Sequence, residues 1–355
     1  MYYHTSSSGS LLKILVKLAD TKLSYIIKKY NSDKWAKKVS TRDQLEIMVS
    51  ANLSQSKSLS DIASMIEGTR KFSCSSINKS SLSRVNKQRD FSIFEELYRN
   101  LLSQVKGRIG SSKVRIIDTS TEIVSKVLFS LWPWDRNRGA VRIGLEYDPY
   151  YELPDQIVIS DGKMGDTTHG RKIAIKKGIT YIMDRGFRDY QLYGKIIEKG
   201  AYFVVGMHKD NSFIVLKDFK VTEEDVISDQ IVVLGRDKRR RMKYPTRVIK
   251  FWDKKGQVMS LVTNRFDLSS EEVRELYRRR WDIEVFFKFI KQNLKVKKFF
   301  GTSKNAIKTQ IYCALIAYLL AYLLKPKYAK MTHFLRKLRY TLFLNHYQLC
   351  FFEPP

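Results

Sequence analysis

The sequence predicts a mixed α/β protein: a central sheet with helices on both faces, preceded by a helical region. Three observations predict it. Apolar residues recur at helical spacing up to about residue 110. From about residue 112 the pattern becomes strands alternating with helices. A run of short strands then leads into a long capped helix.

The helical region opens with Leu11-Leu12-Lys13-Ile14-Leu15-Val16 and continues in Leu45-Glu46-Ile47-Met48-Val49, both spaced as one face of a helix. Ser60-Asp61-Ile62-Ala63-Ser64-Met65-Ile66 reads as a helix started by Ser60. Asn78-Lys79-Ser80-Ser81-Leu82-Ser83-Arg84-Val85-Asn86 has the polar, phosphate-binding look of a recognition helix. The segment joining the two is too long for a strict helix-turn-helix, whose turn is about 3 to 4 residues. An ordinary helical bundle is the alternative.

Lys113-Val114-Arg115-Ile116-Ile117-Asp118 reads as a strand with an acid at its end. Strands follow at Val141 to Tyr147 and Gln156 to Ser160, then a helix around His169 to Lys177. A short strand, Ile179 to Met183, runs into Asp184; a helix near Asp189 to Lys199 and a strand from Ala201 to Met207 complete the set. This order describes a mixed sheet. Residues 208–264 hold four short strand candidates (Phe213 to Leu216, Ile231 to Leu234, Val248 to Trp252, Val258 to Val262) and read as a β-rich insertion. Ser269, with Glu272 three residues on, forms a capping box for a helix expected to run unbroken from Glu271 to Asn293.

Charge gives the first functional clue. Sixty-five Lys and Arg against thirty-six Asp and Glu leave a formal +29, an excess that favours a polyanion. From Val285 to Phe352 there are thirteen Lys and Arg and no Asp or Glu, whereas a solvated helix face usually mixes both signs. The run from Arg236 to Lys243 reads either as a DNA contact or as an exposed hairpin tip. Cys74, Cys313 and Cys350 lack CxxC spacing, which argues for a reducing compartment and against structural zinc. The start, Met1-Tyr2-Tyr3-His4, lacks a signal-peptide pattern, so a cytoplasmic location is expected. Ile311 to Leu324 is shorter than the roughly 20 residues that span a bilayer, and a buried core helix with no membrane partner is expected.

On an unbroken helix at about 100° per residue, Tyr277, Arg280, Glu284 and Lys291 fall at roughly 0°, −60°, −20° and −40°, with Lys288 at about 20°. One carboxylate thus stands in a row of cations and a phenol. The plain alternative is a set of exposed i, i+4 ion pairs worth about 0.2–0.5 kcal/mol each. Asp118 and Asp184, each expected at a strand end, favour the sharper reading. Three carboxylates on separate elements suit two Mg²⁺ ions about 3.5–4 Å apart, the arrangement for in-line phosphoryl displacement.

The spacing Tyr277-x2-Arg280-x3-Glu284-x6-Lys291 resembles the Y-R-E-K signature of bacterial insertion-sequence transposases of family four, DDE enzymes with an RNase H-like catalytic core. The text around it is similar, as are Asp118-Thr119-Ser120-Thr121 and Asp184-Arg185-Gly186-Phe187 to the family's two aspartate motifs. Met164-Gly165 departs from the Val-His common in relatives, and the start and the abrupt end lead to the expectation of a truncated or decayed copy.

The resemblance implies that Asp118, Asp184 and Glu284 are catalytic metal ligands, with Mg²⁺ in two sites and Mn²⁺ able to substitute. It implies that Arg280 and Lys291 contact phosphates and that Tyr277 braces the same strand, with Lys288 in the same row. Trp252 and Trp281 are the candidates for holding a flipped base. Partners would be double-stranded DNA, both transposon ends and target, and further copies of the chain in a homodimer or synaptic oligomer. The expected division is 1–110, helical and DNA-binding; 111–207, first part of the core; 208–264, insertion; 265–325, second part of the core; and 326–355, a basic tail or helix. A structure-selective nuclease and a DNA-binding relic without activity are the competing functions.

Overall fold

The computed structural model describes residues 11–344 except 71, 75, 209–211, 236, 238–240, 295–298 and 327–328. In chain order the described elements begin with α1 (Leu11–Tyr30), α2 (Thr41–Leu53), α3 (Leu59–Thr69), α4 (Lys79–Gln88) and α5 (Ser92–Ile109). The middle holds β1 (Val114–Val124), β2 (Gly139–Asp148), β3 (Leu153–Asp161), α6 (Asp166–Lys172), β4 (Thr180–Met183), α7 (Tyr190–Glu198) and β5 (Tyr202–Gly206). Then come β6 (Phe213–Asp218), β7 (Val226–Leu234), β8 (Thr246–Trp252), β9 (Val258–Thr263), α8 (Ser270–Arg278), α9 (Trp281–Asn293), α10 (Lys304–Leu324) and α11 (Met331–Thr341).

Small polar residues start most helices, since a side-chain oxygen there satisfies an amide the helix leaves open. Ser40 and Asp43 form a capping box on α2, Asn78 caps α4 and Ser303 caps α10. The cap of α3 is Ser58 rather than Ser60: Ser58 is extended and its hydroxyl accepts from the Asp61 amide.

The chain packs as two units. One contains the described residues up to Ile109 together with those from Lys288 on; the other is Gly110–Phe287. α10 packs on α1, α2, α4, α5 and α11. Buried residues run all around α10, from Ala306 to Ala321, so it forms the centre of the helical unit. At 21 residues α10 is long and apolar enough to cross a membrane. Its burial, not a shortage of length, is what makes it a core helix.

In the second unit nine strands form one sheet in the order β3-β2-β1-β4-β5-β9-β8-β7-β6. β1, β4 and β5 are parallel, and the remaining pairs are antiparallel. The β-rich insertion is thus no separate body: β9 pairs with β5 and carries the sheet outward. Side chains alternate between faces along a strand. Phe203 and Val205 of β5 join a core with Leu192 and Ile196 of α7, while Val204 joins a second core with Val273 of α8. Helices therefore cover both faces, as the sequence predicts. α6 covers Asp166–Lys172, earlier than expected.

Candidate active site

β1 and β4 run parallel, and their last registered pair is Ile117 with Met183. Asp118 and Asp184 are the next residues on each, so they stand side by side where β4 stops. Asp118 does not end its strand, contrary to expectation: β1 continues to Val124, still paired with β2. Sequence alone hides this because Thr119-Ser120-Thr121 is less apolar, yet β2 supplies hydrogen-bond partners along its whole length. Ile117 faces the α7 core, so Asp118 faces the other side of the sheet, the side covered by α8. Asp184 leaves the strand extended and accepts from the Gly186 amide at 2.8 Å.

Glu284 comes from α9. Phe286, two residues on, packs its ring 4.8 Å from that of Tyr147 on β2, which seats this end of the helix against the sheet. The expected unbroken helix is two helices. At Arg279 and Arg280 the amides bond to Leu276 and Tyr277, three residues back, a tighter winding that separates α8 from α9. The angular positions derived for one helix therefore hold only from Trp281 onward. Tyr277, on α8, reaches β5: its hydroxyl lies 2.4 Å from where a Cβ on Gly206 would stand. A larger residue at position 206 would displace the Tyr277 ring.

Arg280 donates to Glu284 at 2.5 Å, in the i, i+4 relation visible in the sequence. Burial opposes the charge of Arg280, but Glu284, Tyr277 and Asp118 together hold its pKa above the ordinary value. Burial pushes the Asp118 carboxyl up to about 7. The neighbouring charges of Asp184 and Glu284 add to the rise, and the Thr119 amide and Arg280 oppose it. Burial also raises the Tyr277 phenol. Among the described residues, no three His, Cys, Asp or Glu are grouped as a ready metal site. The donor chemistry suits a hard cation nonetheless: all three are carboxylates, and their mutual repulsion at Asp118 is what a divalent ion relieves.

A fourth acid was missed by sequence reasoning. Asp166, the first residue of α6, accepts from the Thr119 hydroxyl at 2.6 Å and from Arg142 at 2.9 Å. Its other oxygen lies 3.1 Å from where a Cβ on Gly186 would stand, and Asp184 lies 3.0 Å from that same point. Its position in a Gly-Asp turn beside a helix start was the only local signal.

Lys288 and Lys291 lie on α9 four and seven positions beyond Glu284, spacings that keep one helix face. His169 is a core residue. Its Nε2 lies 2.8 Å from the Ser160 hydroxyl, and burial, with Arg142 nearby, pushes its pKa down to about 4. Trp252 and Trp281 are both exposed. Half of the basic run from Arg236 to Lys243, both chain ends and Cys350 lie outside the described residues.

Comparison with known proteins shows the family. The family described as transposase DDE domain matches residues 110–320, and a domain of unknown function (DUF4372) matches residues 6–73. A putative transposase, y4zB, of Sinorhizobium fredii (strain NBRC 101917 / NGR234) is 32% identical over 250 residues, covering 67% of this chain and 69% of that protein. A probable transposase for insertion sequence element IS5377 from Geobacillus stearothermophilus is 29% identical, covering 72% and 69%. A putative transposase for insertion sequence element IS4SA from Synechocystis sp. (strain ATCC 27184 / PCC 6803 / Kazusa) is 30% identical, covering 74% and 77%. The piggyBac transposase, in a synaptic complex with hairpin DNA, shares the fold with a TM-score of 0.50 at 10% identity, over 95% of this chain and 80% of that one. With a family match over more than half its length and relatives of this similarity, the chain belongs to the DDE transposases of bacterial insertion sequences, enzymes that act on DNA.

Proposed function

We propose that this transposase belongs to family four and works through Asp118, Asp184 and Glu284, which hold two divalent cations, Mg²⁺ by preference and Mn²⁺ as a substitute. Such ions, when bound, activate the attacking oxygen and stabilise the leaving oxygen of an in-line phosphoryl displacement. The remaining work falls to the chain. Arg280 and Lys291 take phosphates of the transposon end, Lys288 extends the row, and Tyr277 braces the same strand. Water first frees a 3′-OH at the end, and that hydroxyl then attacks target DNA. Two ends must be joined, so we infer a homodimer or larger synaptic assembly. Within that division of labour the helices of residues 1–110 bind end DNA.

The observation that carries the reading is the position of Asp118. It stands beside Asp184 past the last β1–β4 pair, and it feels the charges of both Asp184 and Glu284. Changing any of the three to Ala should reduce metal-dependent end cleavage by several orders of magnitude while binding of end DNA stays largely intact. Gel assays of end nicking and of mobility shift read the two effects separately. Normal cleavage by one variant removes that residue from the mechanism.

A further inference from the structure

In the helical unit, the loop between α1 and α2 and the side of α4 enclose a cleft of about 650 Å³. Trp35, Lys37 and Lys38 line it from the loop, and Ser81, Arg84 and Gln88 line it from α4. No acid lines it, and no carboxylate among the described residues pairs with Lys37, Lys38 or Arg84. Trp35 is 83% exposed, an unusual position for the largest apolar side chain, and Lys34 stands 5.2 Å from its ring centroid.

The two walls are locked together. Arg89, which ends α4, reaches under the loop and donates to the carbonyls of Val39 (2.8 Å) and Ser40 (3.1 Å) and to Gln44 (2.9 Å). It also pairs with Asp33 at 3.4 Å. Asp33 in turn accepts from the Thr41 amide and hydroxyl, each at 2.7 Å. From the other side, Asn305 of α10 donates to the carbonyls of Asn86 and Arg89. A loop that only connected two helices would need no such bracing. Here it holds an exposed indole and three lysines in fixed register with the polar face of α4.

We propose that this cleft is a binding site for duplex DNA. Lys37, Lys38 and Arg84 neutralise backbone phosphates, Ser81 and Gln88 donate to phosphate oxygens, and the Trp35 ring lies against the sugar. Cations and short polar donors make most contacts to a DNA backbone. An exposed indole beside such cations can pack on the deoxyribose between phosphates, a contact that carries no sequence information. The inference rests on the reading that this chain acts on DNA, and it names where the helical unit does so.

The test measures binding of the full-length chain to a short labelled duplex of mixed sequence across a salt series, with chelator present so that no cleavage occurs. Replacing Lys37, Lys38 and Arg84 together with Gln should weaken binding more than tenfold at low salt. It should also lower the slope of log affinity against log salt by roughly 2 to 3, since each phosphate contact contributes about 0.9. Trp35→Ala should weaken binding severalfold without lowering that slope, since the indole carries no charge to release counterions. These side chains are exposed, so circular dichroism and melting should match the parent chain. Parent-like binding and slope in both variants overturn the cleft while leaving the catalytic proposal standing. Failure of the parent chain to bind any duplex overturns both.

Discussion

At the scale of single residues, the proposed catalysis rests most heavily on Asp118. Its carboxyl is raised from 3.8 to about 7, with burial the largest cause and Asp184 and Glu284 adding to it. An acid whose pKa is raised in the fold contributes stability that is complete below its unfolded value and is lost as pH rises through about 7. A divalent ion competes with that proton. The midpoint of Mg²⁺- or Mn²⁺-induced thermal stabilisation should therefore shift to about fivefold lower metal from pH 6 to 7 and level off above pH 8. A midpoint independent of pH, or a pH dependence that persists in Asp118→Asn, would remove Asp118 from the ligand set. The Arg280–Glu284 contact was legible beforehand, because i, i+4 spacing on a helix brings those side chains together. Asp166 was not. Its partners Thr119 and Arg142 lie 47 and 24 positions away and meet it only through the sheet.

At the scale of elements, local chemistry predicted starts better than ends. Ser269 and Glu272 close the capping box the sequence announces, with the Glu272 amide donating to the Ser269 hydroxyl at 3.2 Å and the Ser269 amide donating back at 2.7 Å. Ser269→Ala should destabilise α8 by about 1 kcal/mol and speed hydrogen exchange of the Glu272 amide, since its acceptor is gone. Unchanged exchange there would mean that packing of Val273 and Tyr277 alone sets the start of α8. The break at Arg279–Arg280 had no such signal: both are good helix formers, and the tightened winding is decided by how α8 and α9 pack on the sheet. β1 ran past its expected end for a similar reason. Thr119, Ser120 and Thr121 carry no apolar alternation, but β2 pairs with each of them.

At the scale of the whole molecule, periodicity distinguishes helices from strands but not which segments share a core. The sequence placed α10 with the catalytic part because it follows α9, whereas the buried side chains on every side of it pack among α1, α2, α4 and α5. The helical unit is thus assembled from both ends of the chain, and its N-terminal helices depend on a segment some 200 residues away. Fully burying one large apolar side chain contributes about 1.5–3 kcal/mol, and α10 carries Ile307, Ile311, Leu315, Ile316, Leu319 and Leu320 buried. Losing six such side chains outweighs a typical net stability of about 5–15 kcal/mol. A chain ending at Ser303, without α10 and α11, should therefore lose the fold of α1 to α5: their amides should exchange within the dead time of a hydrogen-exchange experiment, while the strands β1, β4 and β5 stay protected. Persistent protection of α2 and α5 in that truncated chain would show that the N-terminal helices form a core of their own, and α10 would then be a cover on it instead of its centre.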